Sequence, residues 1–256
     1  VLSVIIPVRG LTERYLEQCL NSLRSYLEIP SEVLVIEGGN LAQARNLGVR
    51  LARGLHIAFI DSDCEARPGW PSSLILYLDK DQSLAGVGGP NLSHPSDPPL
   101  GRVLDIVFST YLGSLRSPSL FKSTHPYVPR AISCINSVFR RKALEDAGGF
   151  DERFELNEDT NIGYRVRAAG YRLLQVPDDV VWHHRRGSVA DFARQMFSYG
   201  TGRVRSILTD AAYADWRVLM GLMGLVLWFS FLIVCPALGI LISAMYLSFS
   251  MLSSAM

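Results

Sequence analysis

Up to Asp63 the chain alternates apolar stretches of two different periods, and that alternation excludes most folds. Ser3-Val4-Ile5-Ile6-Pro7-Val8, Val33-Leu34-Val35-Ile36 and Ile57-Ala58-Phe59-Ile60 are short apolar runs, the pattern of strands buried on both faces. Between them Leu16, Cys19, Leu20, Leu23 and Leu27, then Ala44, Leu47, Leu51 and Ala52, recur at three and four, as on amphipathic helices. Thr12 is a candidate N-cap for the first. Strand, helix, strand, helix, strand calls for an α/β fold: a Rossmann-like, mostly parallel sheet flanked by helices and joined by right-handed crossovers. In such sheets ligands bind at the carboxyl ends of the strands.

The third run ends in Asp61-Ser62-Asp63. If the chain stays extended, Asp61 and Asp63 leave on one side and Ser62 on the other. Two carboxylates so close repel unless a cation lies between them or one is protonated. A divalent ion such as Mg²⁺ uses one or two carboxylates plus phosphate oxygens, so the pair reads as a metal site that holds a diphosphate.

Downstream, helical or strand patterns recur at Trp70–Leu78 (helix), Ala85–Gly89 (strand), Ser137–Phe139 (strand), Arg141–Ala147 (helix), Glu158–Ala169 (helix) and Tyr171–Val176 (strand). Residues 90–130 are rich in Pro and Ser with one helical stretch, Leu104 to Leu115, and read as an insertion. Glu158 and Asp159 fall in a first helical turn, where the macrodipole favours negative charge. A formal net charge of +1 gives no reason to expect nucleic acid. Four dispersed cysteines without a CxxC pair argue against a zinc ribbon or a disulfide framework and for reduced thiols facing the cytosol. Val1, almost within the first strand, leads us to expect a trimmed or processed N-terminus.

From Val218 to Met256 there is no Asp, Glu, Lys, Arg or His. A spanning helix needs ~20 apolar residues, so two transmembrane helices broken near Pro236 are expected. Arg185, Arg186, Arg194, Arg203, Arg205 and Arg217 precede the run and place that side in the cytoplasm. Before it, Phe192, Met196, Phe197, Val204 and Ile207 share one face of an expected helix, Val189 to Leu208, which suits a membrane interface.

Seven pieces, in order, carry a resemblance: Val4-Ile5-Ile6-Pro7-Val8, Ala44-Arg45-Asn46-Leu47-Gly48, Ala58-Phe59-Ile60-Asp61-Ser62-Asp63-Cys64, Phe139-Arg140-Arg141, Gly148-Gly149-Phe150-Asp151-Glu152, Glu158-Asp159 with Arg165 and Gly170, and His183. The chain resembles the family 2 inverting glycosyltransferases of GT-A fold, and more distantly the cellulose-synthase-like enzymes. The resemblance covers about residues 2–186 and implies a GT-A catalytic domain over residues 1–186; the pattern beyond it gives an amphipathic interfacial segment over 187–217 and a transmembrane segment over 218–256. The resemblance makes Asp61, Asp63 and His183 metal ligands for Mn²⁺ or Mg²⁺, although His184 is not separable from His183 by sequence. Asp159 is the implied general base with Glu158 beside it. Pro7, Arg9, Glu37, Arg45 and Asp61 are implied for the nucleotide donor, and Gly149, Phe150, Gln195 and Tyr199 for the acceptor.

Three departures from the family pattern stand out. Glu37-Gly38-Gly39 keeps one of two usual acids, Arg9 replaces a base-stacking aromatic, and Ser198 replaces the arginine of a Gln-x-x-Arg-Trp signature at Gln195–Tyr199. The last favours single transfer over polymerisation. The resulting expectation is an integral cell-membrane glycosyltransferase with its catalytic domain on the cytoplasmic face. It would move one sugar from a GDP- or UDP-sugar to a lipid-linked glycan, with homo-oligomers left open. Its alternatives are a polyprenyl- or dolichyl-phosphate acceptor, and a membrane-tethered nucleotide-sugar binding protein without catalysis.

Overall fold

Strand β1 (Leu2–Val8) is buried along its whole length, so its side chains must feed apolar layers on both sides of the sheet. Leu2, Val4, Ile6 and Val8 join Ala58 and Ile60 in one core, while Ile5 joins Ile57 and Phe59 in the other. That division is the two-residue period of a strand. The first layer is closed by helices α1 (Leu16–Tyr26) and α3 (Ser72–Lys80), through Leu16, Cys19, Leu23, Leu74 and Leu78. The second is closed by α2 (Leu41–Leu51), α5 (Arg141–Asp146) and α6 (Glu158–Ala168). The computed structural model describes residues 1–11, 13–109, 123–210, 213 and 216–255.

The main sheet has the order β2-β1-β3-β7-β5-β8, with β2 at Ser31–Glu37, β3 at His56–Ile60, β5 at Leu84–Gly88, β7 at Asn136–Arg140 and β8 at Arg172–Gln175. β1 pairs in parallel with both β2 and β3, and β5 with β8, whereas β7 runs antiparallel to β3 and β5. The sheet is therefore mixed. Because β1 is flanked by β2 on one side and β3 on the other, the crossovers diverge there and open a crevice at the strands' carboxyl ends.

A second sheet, β4-β9-β6, is built from β4 (Cys64–Glu65), β9 (Val181–His183) and β6 (Asn91–Ser93). It gives order to the start of the stretch read as an insertion. The helix expected from Leu104 to Leu115 is α4 (Pro99–Ser109), and positions 110–122 lie outside the described residues. Thr12 lies outside them too; the residue preceding α1 is Tyr15, without a side-chain cap. Val33–Ile36 was legible as a strand but not as an edge: only Ile36 of β2 is buried.

The uncharged run folds into α8 (Trp216–Val234) and α9 (Pro236–Ala255), interrupted at Pro236 as expected. Among the described residues, no helix is long and apolar enough to cross a membrane. The two helices pack on each other, with Trp228 Nε1 donating to Ser243 Oγ at 2.9 Å. α7 (Val189–Thr209) precedes them. It lays Gly202 and Ser206 against Leu156 and Asn157, and leaves Phe197, Val204 and Leu208 exposed.

The tightest helix-on-sheet approach is at Gly48, where an added Cβ would lie 2.6 Å from Ile5 Cγ2. Gly48→Val is expected to cost about 1–3 kcal/mol by overpacking, whereas Gly10→Ala, with open space around it, is expected to be near neutral. Urea denaturation of both variants checks this, and equal effects would contradict the packing described.

Candidate active site

β3 delivers Asp61 to the crevice, but the alternation expected beyond it does not occur. The strand stops at Ile60, and Cys64 N donates to Asp61 O at 3.0 Å to close a tight turn. The turn, rather than strand geometry, aims the two acids, and it sends them to different partners. Asp61 Oδ1 accepts from Nη2 of Arg45, on α2, at 3.0 Å. Nη1 of the same guanidinium donates to Glu158, the first residue of α6. Arg45 is 2% exposed and Glu158 5%. Phe59 and Phe150 flank the cation, each ring centroid 5.9 Å from Arg45 Cζ.

Burial pushes the Asp61 carboxyl up to about 6, with Asp63 adding to the rise and Arg45 opposing it. Asp159 is likewise raised, first by burial and then by the adjacent Glu158. Its Oδ1 accepts the backbone N–H of Thr160 at 2.6 Å. Two half-buried acids short of positive charge thus lie together at this end of the sheet. A carboxylate held above its usual pKa stabilises the fold below that usual value, and the contribution is lost as pH rises through about 6.

Asp63 meets β9: His183 Nε2 lies 3.4 Å from Asp63 Oδ1. Burial alone would raise Asp63, but His183 and then Arg186 more than offset it and hold the carboxyl below its usual range. Asp63, Cys64 and His183 form a group whose ligand atoms lie within 4.8 Å of one another. Burial keeps Cys64 far above the usual thiol range, and Asp63, with Asp61 beside it, and His183 offer oxygen and nitrogen donors. That chemistry fits a hard divalent ion such as Mn²⁺ or Mg²⁺. One constraint applies to His183. Arg185 Nη1 lies 2.9 Å from its Nδ1, and since a guanidinium only donates, Nε2 carries the hydrogen. Ligation through Nε2 therefore requires Arg185 to withdraw, whereas Asp61 and Asp63 need no such change.

Beside the acids, a cleft of about 330 Å³ is lined by Val8, Arg9, Gly38, Gly39, Ala44 and Glu155, among others. The glycines make it: a Cβ on Gly38 would lie 2.9 Å from Ala44 Cβ. Pro7 and the exposed Glu37 do not line the cleft but precede its lining residues Val8 and Gly38 in the chain, with Val8 paired to Glu37 and Pro7 to Ile36. Glu13 secures this corner, accepting Arg9 N at 2.6 Å and also bonding to Ser62 Oγ.

Gly148 and Gly149 turn the chain with φ of +72° and +71°, a region glycine enters without steric cost. Asn46 clamps the turn: its Oδ1 accepts from Phe150 N at 2.8 Å and its Nδ2 donates to Phe150 O at 2.9 Å. Phe150 is 3% exposed and packs edge-on to Phe59, so its ring belongs to the core and offers an acceptor no surface. On α7, Gln195 Nε2 donates to Tyr199 Oη at 3.1 Å. Tyr199 keeps 46% of its surface exposed, so only its inner edge is desolvated; that partial desolvation raises the phenol, the Gln195 bond opposes the rise, and the charges of Asp159 and Asp61 add to it. Tyr199 accordingly stands within electrostatic reach of the acids.

The structure thus gathers Arg45, Asp61, Glu158 and Asp159 around one cation, with Asp63 and His183 alongside. It places Arg9 and Glu37 in or beside the neighbouring cleft. Arg45, expected at the nucleotide, spends its guanidinium on Asp61 and Glu158. Asn46 and Glu13 were given no role from the sequence, and Arg185 only a place among the arginines before the tail. Asn46 stood within a motif already singled out, and no signal marked Glu13.

Residues 57–256 match the model of Glycosyl transferase family group 2. The chain belongs to this family. A pre-mycofactocin glycosyltransferase of Mycobacterium tuberculosis (strain CDC 1551 / Oshkosh) is 34% identical over 160 residues, covering 62% of this chain and 33% of that protein. Glycosyltransferase AglE of Haloferax volcanii is 24% identical over 240 residues, 82% of this chain and 75% of AglE. The chain thus spans about a third of the first of these curated relatives. Among solved structures, GalNAc-T7 with UDP, GalNAc and Mn²⁺ superposes with a TM-score of 0.53 at 17% identity, over 72% of this chain and 44% of that one. The shared architecture is the GT-A-like α/β fold, with the mixed sheet described above.

In this member of the family, Arg45 is the sole cation bonded to both Asp61 and Glu158 among the described residues. Arg45→Met leaves the buried Glu158 and the half-buried Asp61 unpaired and is expected to cost about 3–5 kcal/mol at pH 7.5. The deficit shrinks toward pH 5, where Asp61 takes up a proton. Chemical denaturation at the two pH values checks this; a deficit independent of pH would contradict the assignment.

Proposed function

We propose that this chain is the catalytic part of a metal-dependent inverting glycosyltransferase. It takes one sugar from a nucleotide-diphosphate donor and passes it to a lipid-linked acceptor at a membrane surface. The observation that carries the reading is that the buried Arg45 ties the Asp61–Asp63 turn to Glu158, next to the raised carboxylate of Asp159. Family membership and the fold shared with GalNAc-T7, whose structure contains UDP, GalNAc and Mn²⁺, support the same conclusion.

Each residue's part follows from its surroundings. The cleft beside Val8, Gly38 and Ala44 receives the nucleoside, with glycines allowing the backbone close approach. Asp61 and Asp63 would hold the Mn²⁺ or Mg²⁺, which supplies positive charge to the departing diphosphate. Arg45 fixes Asp61 and Glu158 without contacting the donor, so it is a positioning residue. Asp159 takes the proton of an acceptor hydroxyl as that oxygen attacks the anomeric carbon from the face opposite the leaving group. Its raised pKa makes it a stronger base than an ordinary aspartate. Tyr199 and Gln195 border the same space from α7 and meet the acceptor.

A lipid-linked acceptor is favoured by the apolar surface beside the site. Phe197, Val204 and Leu208 recur along one face of α7, and Val226, Ile233, Ile240 and Met245 are exposed on α8 and α9. Exposed apolar surface of this extent marks a membrane or protein contact. Arginines on α7 and ahead of it suit the anionic cytoplasmic leaflet.

Asp159→Asn is expected to lower transfer from UDP- or GDP-sugars by about 10²–10⁴-fold and to leave donor affinity intact. The wild-type rate should rise with pH as Asp159 loses its proton. Turnover retained in the variant would contradict a hydroxyl acceptor and indicate a phosphate, which needs no base.

A further inference from the structure

His183 and His184 are neighbours in an extended segment, so their side chains leave on opposite faces. His183 turns to Asp63, and His184 turns to a second group that the transfer reaction does not use. His184 Nε2 lies 3.0 Å from Glu65 Oε1, and His94 Nε2 lies 3.5 Å from the same oxygen. The three ligand atoms fall within 4.8 Å of one another. Each strand of the small sheet supplies one donor: Glu65 from β4, His94 just beyond β6 and His184 just beyond β9.

The far nitrogens are also engaged. Nδ1 of His184 lies 3.0 Å from Asp97 Oδ1. Nδ1 of His94 accepts from Ser96 N at 3.2 Å and lies 2.6 Å from Ser96 Oγ. On His184, the carboxylate that accepts from Nδ1–H leaves Nε2 as a lone-pair donor, which is how ligating imidazoles are oriented. His94 reaches the same tautomer by releasing Ser96 N and turning Nδ1–H to Ser96 Oγ, a smaller change than displacing Arg185 from His183. The rings are held from the side as well: Tyr15 stacks on His184 at 3.9 Å, and Trp182 meets His94 edge-on at 6.3 Å. His184 is buried, while Glu65 and His94 each keep 22% of their side-chain surface open to solvent, an entry path for an ion.

We propose that Glu65, His94 and His184 form a second divalent-cation site, distinct from the Asp61–Asp63 pair and selective for Zn²⁺-class ions. Two imidazoles and one carboxylate suit zinc, with water in the fourth position, while Mg²⁺ prefers oxygen donors. The ion ties together three short strands, of two and three residues, that present the Asp61–Cys64 turn and His183.

Co²⁺, a coloured stand-in for zinc, tests this in the full chain purified free of metal. Visible absorption from one tetrahedral Co²⁺, displaced by Zn²⁺, is expected in the wild type and in Asp63→Ala alike. His94→Gln, at a partly exposed position, is expected to abolish it, with folding verified by circular dichroism. Asp97→Asn is expected to weaken it about 10–100-fold. No such absorption in the wild type, or the same absorption in His94→Gln, would overturn the second site and leave the transferase reading untouched. Loss in Asp63→Ala with retention in His94→Gln would assign the ion to the Asp61–Asp63 pair and also overturn it.

Discussion

One buried guanidinium holds the site together. Arg45 lies between Asp61 and Glu158, at 2% exposure, and thereby joins the end of β3, the second helix and the start of α6. A charge so far from water is tolerated only when paired and hydrogen-bonded. Removing either carboxylate would therefore disturb the other two elements. One cation shared among Asp61, Glu158 and the neighbouring Asp159 leaves negative charge in excess. Burial with too little compensation raises Asp61 and Asp159, and a raised carboxylate suits both proton abstraction and the recruitment of a cation. The same shortage that costs stability thus supplies the chemistry.

The surroundings convert this charge cluster into a defined geometry. Asn46, next to Arg45 on α2, clamps the Gly148–Phe150 turn, so the helix that positions the cation also positions the chain leading to α6. Glu13 fastens the loop after β1 to Ser62, between the two acids. On the far side, the β4–β9 pairing brings Cys64 opposite His183 and divides two adjacent histidines between two clusters. The site is therefore bounded by the main sheet on one side and by a sheet of very short strands on the other.

Much of this was legible from residue pattern. β1, β3 and the helices between them follow from period, because they are long enough and buried enough for period to show. β4 and β6 did not, since two or three residues have no period to read; their order comes from pairing with β9. Asp61 and Asp63 were identified by type, but the turn that aims them was not, because its hydrogen bond is independent of side-chain identity. Arg45 was recognised as functional, yet its partner Glu158 lies 113 residues away, and nothing local announces such a pair. Phe150, beside two glycines, resembled an exposed loop aromatic, whereas Asn46 draws the turn inward and buries the ring. The uncharged tail read from composition as two helices broken near Pro236, and the break falls there because proline cannot continue the first helix.

The central claim is that Asp61 and Asp63 gather a cation against a diphosphate at the end of β3. Crystals grown with Mn²⁺ and UDP or GDP, measured near the manganese absorption edge, test it most directly. The account predicts an anomalous peak within coordination distance of Asp63 and of the diphosphate, with the nucleoside in the cleft between Val8 and Ala44. A nucleotide bound elsewhere, or one bound in that cleft with no manganese at Asp63, would contradict it.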